Sequence, residues 1–94
     1  MIRLNAFFEV KDEKDLDTVR ELGMQLVEAS RKDRGCVAYD LFESTTNRTV
    51  MMFCETWNDE ESLTSHAASA HYIQLVPKIK EFTRNGMKLE RFDF

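Results

Sequence analysis

Both histidines of the chain, His66 and His71, follow its only tryptophan, Trp57, within one short segment. An imidazole changes charge near neutral pH, which makes His66 a candidate general base, with Trp57 as an aromatic wall beside it. The alternative is a partly buried histidine bonded to the backbone and a tryptophan that only fills the core. Asn5 is polar within an apolar run, so its amide is a candidate donor to a substrate oxygen, or else bonds a neighbouring side chain or an interface.

A carboxylate lies two residues before the tryptophan. In a strand Glu55 shares a face with Trp57, and a buried carboxylate needs a partner, for which Arg3, Arg91 or Lys88 are available. A structural ion pair and a role in substrate binding both fit this pattern.

The segment after His66 offers two further pocket residues, His71 and Tyr72, at the start of a predicted helix. They could close a pocket mouth, although a surface or capping role also fits His71. The two histidines are five residues apart, about 140° around an ideal helix, so one straight helix cannot present both to a metal ion. A helix break near Ser69 would bring them closer, but we expect no metal site and no bound cofactor.

Seven elements must position these side chains. Alternating apolar residues predict strands, and apolar residues at helical spacing predict helices. Gly35 is a predicted C-terminal cap of the first helix, and Asn58 with Glu61 forms a predicted capping box. The strands are predicted at 2–10, 36–43, 49–57 and 87–94, and the helices at 13–34, 59–67 and 69–83.

Proline, serine and an Asn-Gly pair near the C-terminus predict where the last helix begins, is interrupted and ends. Pro77 lies inside the last helix and predicts a kink or a restart there, because proline donates no backbone hydrogen bond. Ser69 is the predicted cap at the start of this helix, and Asn85 with Gly86 is predicted to end it.

The element order β-α-β-β-α-β is that of the α+β ferredoxin-like fold, an antiparallel sheet with helices on one face. The strands at 36–43 and 49–57 are apolar on both sides, which indicates that both faces of the sheet are covered. Helices cover one face. A second subunit is expected to cover the other, in a homodimer, because an exposed apolar face of this size is unusual in monomers.

Composition narrows the functional classes. The 94 residues fit one domain, 1–94, and the net charge of −4 without a basic cluster argues against nucleic acid as a partner. No apolar run approaches the ~20 residues of a membrane span, and the N-terminus lacks a signal-peptide pattern. We expect a cytoplasmic protein in which Cys36 and Cys54 are reduced thiols.

The segment "ETWNDEESLTSHAASAHYIQLVPKI" (residues 55–79) resembles the signature of the antibiotic biosynthesis monooxygenase (ABM) domain. "GCVAYDLFES" (35–44) and an asparagine in the first strand are also similar to that family, and the resemblance spans essentially the whole chain. It implies a dimeric α/β barrel with one pocket per subunit. Its quinol-monooxygenase-like members oxidise small aromatic or quinone-like substrates with O2 and without a cofactor.

This resemblance assigns roles to individual residues. His66 and Asn5 become the catalytic candidates, as acid–base group and hydrogen-bond donor. Trp57, Phe53, Glu55, His71 and Tyr72 become the substrate-binding candidates. Phe53 departs from the aromatic-polyketide members, which carry an asparagine at that position.

Three other functions remain open on the sequence. Relatives that degrade haem need a ligating histidine near position 76, where this chain has Val76, so haem degradation is the weaker alternative. Isomerisation of a small carbonyl compound is a second alternative. The chain has no basic cluster near the pocket motif that would bind the phosphate group of a phosphorylated substrate. A non-enzymatic dimeric barrel that binds a small ligand is the third.

Overall fold

The computed structural model describes all residues from Met1 to Phe94 and has the predicted α+β ferredoxin-like fold. The elements are β1 (Ile2–Val10), a short 3-10 turn (Glu13–Asp15), α1 (Leu16–Ser30), β2 (Cys36–Glu43), β3 (Val50–Trp57), α2 (Glu60–Ala67), α3 (Ala70–Glu81) and β4 (Thr83–Asp93). None of these helices has the length and apolar character needed to cross a membrane.

The four strands form one antiparallel sheet in the order β2-β3-β1-β4. In the pairing of β1 with β3, Leu4 lies opposite Glu55 and Ala6 lies opposite Phe53. These residues belong to the inner face, which the helices cover. Because neighbouring residues of a strand point to opposite faces, Asn5 lies on the outer face, opposite Cys54.

The core fills the space between the inner face and the three helices. Its fully enclosed side chains include Trp57 and Phe53 from β3, Val19 and Leu26 from α1, and Ile79 from α3. The aromatic residues of this core contact one another, with the rings of Tyr39 and Phe53 5.8 Å apart. Burial of such side chains removes apolar area from water and fixes the helices against the sheet.

The start of α2 corrects one predicted cap. The cap is Asp59 rather than Asn58, and its carboxylate accepts a hydrogen bond of 2.8 Å from the Ser62 N–H. The predicted capping role of Ser69 in α3 is confirmed, since its hydroxyl accepts from the Tyr72 N–H at 3.2 Å.

The end of α1 also differs from the prediction. The helix stops at Ser30 instead of position 34, and a turn leads to Gly35, which has a φ of +81°. A Cβ atom at Gly35 would lie 1.9 Å from the Ser62 hydroxyl oxygen. Glycine is therefore required here for two reasons, its backbone conformation and the close approach of α2.

At Pro77 the predicted restart does not occur, since α3 continues from Ala70 to Glu81, and the predicted alternative of a kink stays a prediction. The predicted end of this helix was wrong. Asn85 and Gly86 do not end a helix but lie within β4, where both have positive φ. They lie beside a register shift in the pairing with β1, between Phe7 and Glu9, so this pair of residues forms an irregularity in a longer strand.

The outer face carries exposed aromatic side chains. Phe7, Phe42 and Phe92 are each at least one-third exposed, on three different strands. Cys54 lies on this face, whereas Cys36 packs against the core on the other, and both are free thiols. The two cysteines therefore cannot form a disulfide with each other within one chain.

Candidate functional site

A cavity of about 220 Å³ lies between the inner face of the sheet and helices α2 and α3. Its wall is predominantly apolar, and its polar groups are few. They are Tyr39 and Glu55 from the sheet, and His66 and Tyr72 from the helices. A small apolar cavity with a few convergent polar groups is the usual form of a small-molecule site. The remaining wall residues are Leu4, Ala6, Leu26, Phe53, Leu63, Ala67, Val76, Met87 and Leu89.

His66 is held in this wall at one ring nitrogen and is free at the other. Its side chain is almost fully buried, and Nδ1 lies 2.8 Å from Oδ2 of Asp33. A carboxylate can only accept, so Nδ1 carries the proton and donates it to this bond. Nε2 of the neutral ring then has a free lone pair. This atom is buried and has no partner in the protein.

Asp33 binds both histidines. Its Oδ2 atom also accepts a hydrogen bond from Nε2 of His71, again at 2.8 Å. The three residues come from the turn after α1, from α2 and from the first turn of α3. The helix break between Ala67 and Ala70 brings the two histidines together, with their rings 5.8 Å apart.

Burial sets the protonation state of His66. Removal from water lowers the pKa of the His66 imidazole below its ordinary value of 6.5, while Asp33 raises it and only partly compensates. The lowered pKa favours the neutral imidazole, whose unprotonated Nε2 atom can accept a proton.

Glu55 is the second ionisable group of the cavity. Its side chain is 6% exposed, and its Oε1 atom accepts a hydrogen bond of 2.9 Å from the indole N–H of Trp57. The predicted partners Arg3, Arg91 and Lys88 do not bind it. Burial raises the pKa of the Glu55 carboxyl group, and hydrogen bonds from Trp57 and Tyr39 oppose this shift in part.

Trp57 connects these two groups from behind the wall. It is fully buried, and its ring lies 4.5 Å from that of His66, tilted by 34°. The same indole donates to Glu55, so one rigid side chain sets the positions of both the imidazole and the carboxyl group. Trp57 supports the site without lining the cavity itself.

The other predicted site residues are divided among three places. Phe53 and Tyr72 line the cavity, and the Tyr72 ring meets the edge of His66 at 5.2 Å. His71 lies behind the wall and binds Asp33. Asn5 lies on the outer face, where its Nδ2 donates to Glu90 at 3.4 Å and its Oδ1 is buried without a partner. The catalytic role of Asn5 stays a prediction, and within one chain it has no access to the cavity.

Two members of the site, Asp33 and Tyr39, were not predicted from the sequence. Asp33 is the only acid among the bases of "RKDRG" (31–35), at the end of a helix where positive charge is favoured. This misplaced charge was the available signal. Tyr39 shares a strand face with Leu41, and its ring lies 5.5 Å from His66. Alternation along β2 could have placed it there.

The ligand atoms of Asp33, His66 and His71 lie within 4.8 Å of one another, a group that could hold a metal ion. The hydrogen bonds from both imidazoles to one carboxylate oxygen already account for this arrangement. Asp33 and His71 lie outside the cavity wall, so an ion bound between them would not face a ligand in the cavity. Val76, at the position where a haem ligand is expected, is an apolar wall residue without a donor atom.

Comparisons with known proteins agree with this architecture. The model of the family described as antibiotic biosynthesis monooxygenase matches residues 1–78. A protein of Bacillus subtilis (strain 168) named "Putative monooxygenase YcnE" is 37% identical over 81 residues, which cover 86% of this chain and 84% of that protein.

Two solved structures have the same fold over nearly the whole chain. One, from Bacteroides thetaiotaomicron VPI-5482, is described as a conserved protein of unknown function and "Possible Oxidoreductase". It is 45% identical, with a TM-score of 0.92 and coverage of 99% of this chain and 96% of that chain. The other is described as an antibiotic biosynthesis monooxygenase. It is 31% identical, with a TM-score of 0.93 and coverage of 100% and 98%. The chain is a member of the antibiotic biosynthesis monooxygenase family.

Proposed function

We propose that this protein is a cofactor-independent monooxygenase that oxidises a small, neutral, electron-rich aromatic compound, such as a quinol or an anthrone, with O2. The observation that carries the proposal is the free Nε2 atom of His66 in the cavity wall, buried and without a protein partner. A buried acceptor without a partner is rare, and a catalytic role is one of the explanations for it.

His66 acts as the general base. Asp33 is a positioning residue, because its hydrogen bond to Nδ1 fixes the tautomer and leaves Nε2 free to accept a proton. Removal of a proton from the substrate produces a carbanion or phenolate. Such an anion is electron-rich enough to give an electron to O2 directly. Asp33 stabilises the imidazolium that forms at the same time.

The charge of the cavity favours a neutral aromatic substrate. No lysine or arginine lines the cavity, so a phosphate group or a haem propionate would be buried without a positive partner. The wall instead offers the rings of Phe53, Tyr39 and Tyr72. This supports an aromatic substrate over a phosphorylated carbonyl compound, the substrate expected of the isomerase alternative.

The outer face supports a homodimer formed through the sheet. Phe42 and Phe92 are each 51% exposed on this face, and the unpartnered Oδ1 of Asn5 lies between them on the central strand β1. Contact with a second copy would remove these aromatic surfaces from water. Cys54→Arg introduces a charge on the outer face, and we expect a monomer or an aggregate in size-exclusion chromatography. An unchanged dimer would contradict the assignment of this face.

Oxygen uptake by the purified, metal-stripped protein tests the activity. A panel of naphthohydroquinones and anthrones is offered to the wild type, to His66→Gln and to Thr64→Ala. Thr64 is an exposed residue of the same helix, so its variant is the matched control. We expect uptake above the autoxidation blank in the wild type and in the control, and loss of that uptake in His66→Gln.

The alternatives give different results in this experiment. An isomerase would convert its substrate without consuming O2, and a ligand-binding barrel would bind panel compounds without turnover. Uptake that survives unchanged in His66→Gln would contradict the role of His66 as the base. Uptake at the blank level for every compound, in all three proteins, would contradict the oxygenase proposal for this substrate class.

A further inference from the structure

Glu55 is a buried ionisable group that has no role in the proton abstraction by His66. It lines the same cavity as His66, and it comes from β3 in the sheet, whereas His66 comes from α2. Trp57 anchors one of its oxygens and packs against the His66 ring. The hydroxyl group of Tyr39, the residue opposite Glu55 on β2, is a second hydrogen-bonding neighbour of the carboxyl group.

We propose that Glu55 is a second catalytic residue, the general acid that protonates the departing oxygen when the O–O bond of a substrate hydroperoxide breaks. This inference rests on the proposed oxygenase function, and it assigns an acid to the second half of that reaction. The geometry that supports it is a buried carboxyl group that the Trp57 indole holds in place, in the wall of the same small cavity as the base.

The first half of the reaction needs only His66 and O2. Nε2 of His66 takes a proton from the substrate, and the resulting anion gives one electron to O2. The two radicals combine into a C–O bond, which leaves a peroxide anion on a carbon that still carries one hydrogen. The peroxide anion takes the proton back from His66, so that a neutral hydroperoxide and a neutral imidazole result.

The second half needs a base and an acid at once. His66 removes the remaining hydrogen of that carbon as a proton, and the electron pair of the C–H bond forms the second bond of a carbonyl group. The O–O bond breaks, its electron pair leaves with the distal OH, and the Glu55 proton converts this group into water. The His66 proton then returns to Glu55. In the balance of both halves, a CH2 group of the substrate, or the equivalent phenol tautomer, reacts with O2 to give a carbonyl group and one molecule of water.

The burial of Glu55 agrees with this role. The raised pKa of its carboxyl group, caused by removal from water, favours the protonated form that an acid needs. The lowered pKa of His66 favours the free base. Environments that shift two groups in opposite directions are a recurring pattern in acid–base catalysis.

Glu55→Gln tests the inference. The amide has nearly the same shape, and its oxygen can still accept the Trp57 hydrogen bond, so the variant keeps the local packing but has no acidic proton. A general acid contributes about 10²- to 10⁴-fold, so we expect hydroperoxide breakdown to slow by that factor while O2 uptake continues. Organic hydroperoxide and H2O2 are quantified against O2 consumed, with Thr64→Ala as control.

A second variant, Glu55→Asp, guards against a folding defect, because it keeps the acidic proton on a shorter side chain. We expect water and the carbonyl product from Glu55→Asp, and hydroperoxide from Glu55→Gln. Wild-type product ratios in Glu55→Gln would overturn the inference, as would equal loss of O2 uptake in both variants with no hydroperoxide. Absence of uptake in the wild type would instead reject the proposed function, and the acid role with it.

Discussion

The two faces of the sheet are built from the same strands but carry different chemistry. On the inner face, Glu55 and Phe53 line a cavity that the helices close. On the outer face, one residue away along the strand, Cys54 and Asn5 lie opposite each other on an uncovered surface. In a strand, a shift of one residue moves a side chain from one face of the sheet to the other, so the position of a residue in this alternation decides whether it reaches the cavity.

The largest expected effect of this difference is on turnover. His66→Gln removes the base of the inner face, and we expect kcat to fall by about 10²- to 10⁴-fold. Asn5→Ala changes a polar residue of the outer face. We expect its loss of kcat to be far smaller than that of His66→Gln, and its elution position in size-exclusion chromatography to change. Oxygen uptake and size-exclusion chromatography measure the two effects. An equal loss of kcat in Asn5→Ala would remove the distinction between the faces and support a catalytic Asn5.

Variants of Asp33 and His71 test how the hydrogen bonds around His66 support its role as the base. Asp33→Asn can donate its amide hydrogen to Nδ1 of His66, which would move the ring proton to Nε2 and block the base. We expect a loss approaching that of His66→Gln. His71→Gln removes one of two hydrogen bonds to Asp33, worth about 1 kcal/mol, and should cost about fivefold in kcat. A larger loss in His71→Gln than in Asp33→Asn would contradict this order.

Two glycines with positive φ test how closely α2 is held over the inner face. Gly35→Ala would combine a strained backbone conformation with a clash against the Ser62 side chain. We expect it to lower the free energy of unfolding by about 2–4 kcal/mol. Gly86 has a φ of +71° but open space around it, so Gly86→Ala should cost only about 1–2 kcal/mol. Urea unfolding measures both. Equal costs would show that the contact of α2 with Gly35 is unimportant.

The smallest effect is on the pH profile. Because burial lowers the pKa of His66 below 6.5, kcat/KM should be flat above that value and fall with decreasing pH as the imidazole takes a proton. His66 should also make folding less favourable in the same range, since the unfolded chain binds that proton more readily. Rates between about pH 5 and pH 8 check the direction. Values of kcat/KM that stay constant or rise with decreasing pH over this range would contradict a neutral base.

The sequence predicted most of the fold because strand alternation and helical spacing are local signals. β1 and α2 lie within a residue of their predicted limits. The predictions failed where contacts between distant residues matter, as at Gly35, which lies beyond the end of α1 and against Ser62 of α2. At Pro77 only the predicted restart is excluded, since α3 continues through this residue.

By itself the sequence determined the order of the elements, the cavity face of β3 with Phe53 and Glu55, and the candidate base. Only the tertiary structure decided which groups meet. It placed Asp33 from the turn after α1 against both histidines, and it gave Glu55 a tryptophan as its partner rather than an arginine. Periodicity specifies the face on which a side chain lies, whereas hydrogen-bond partners depend on how separate elements pack in three dimensions.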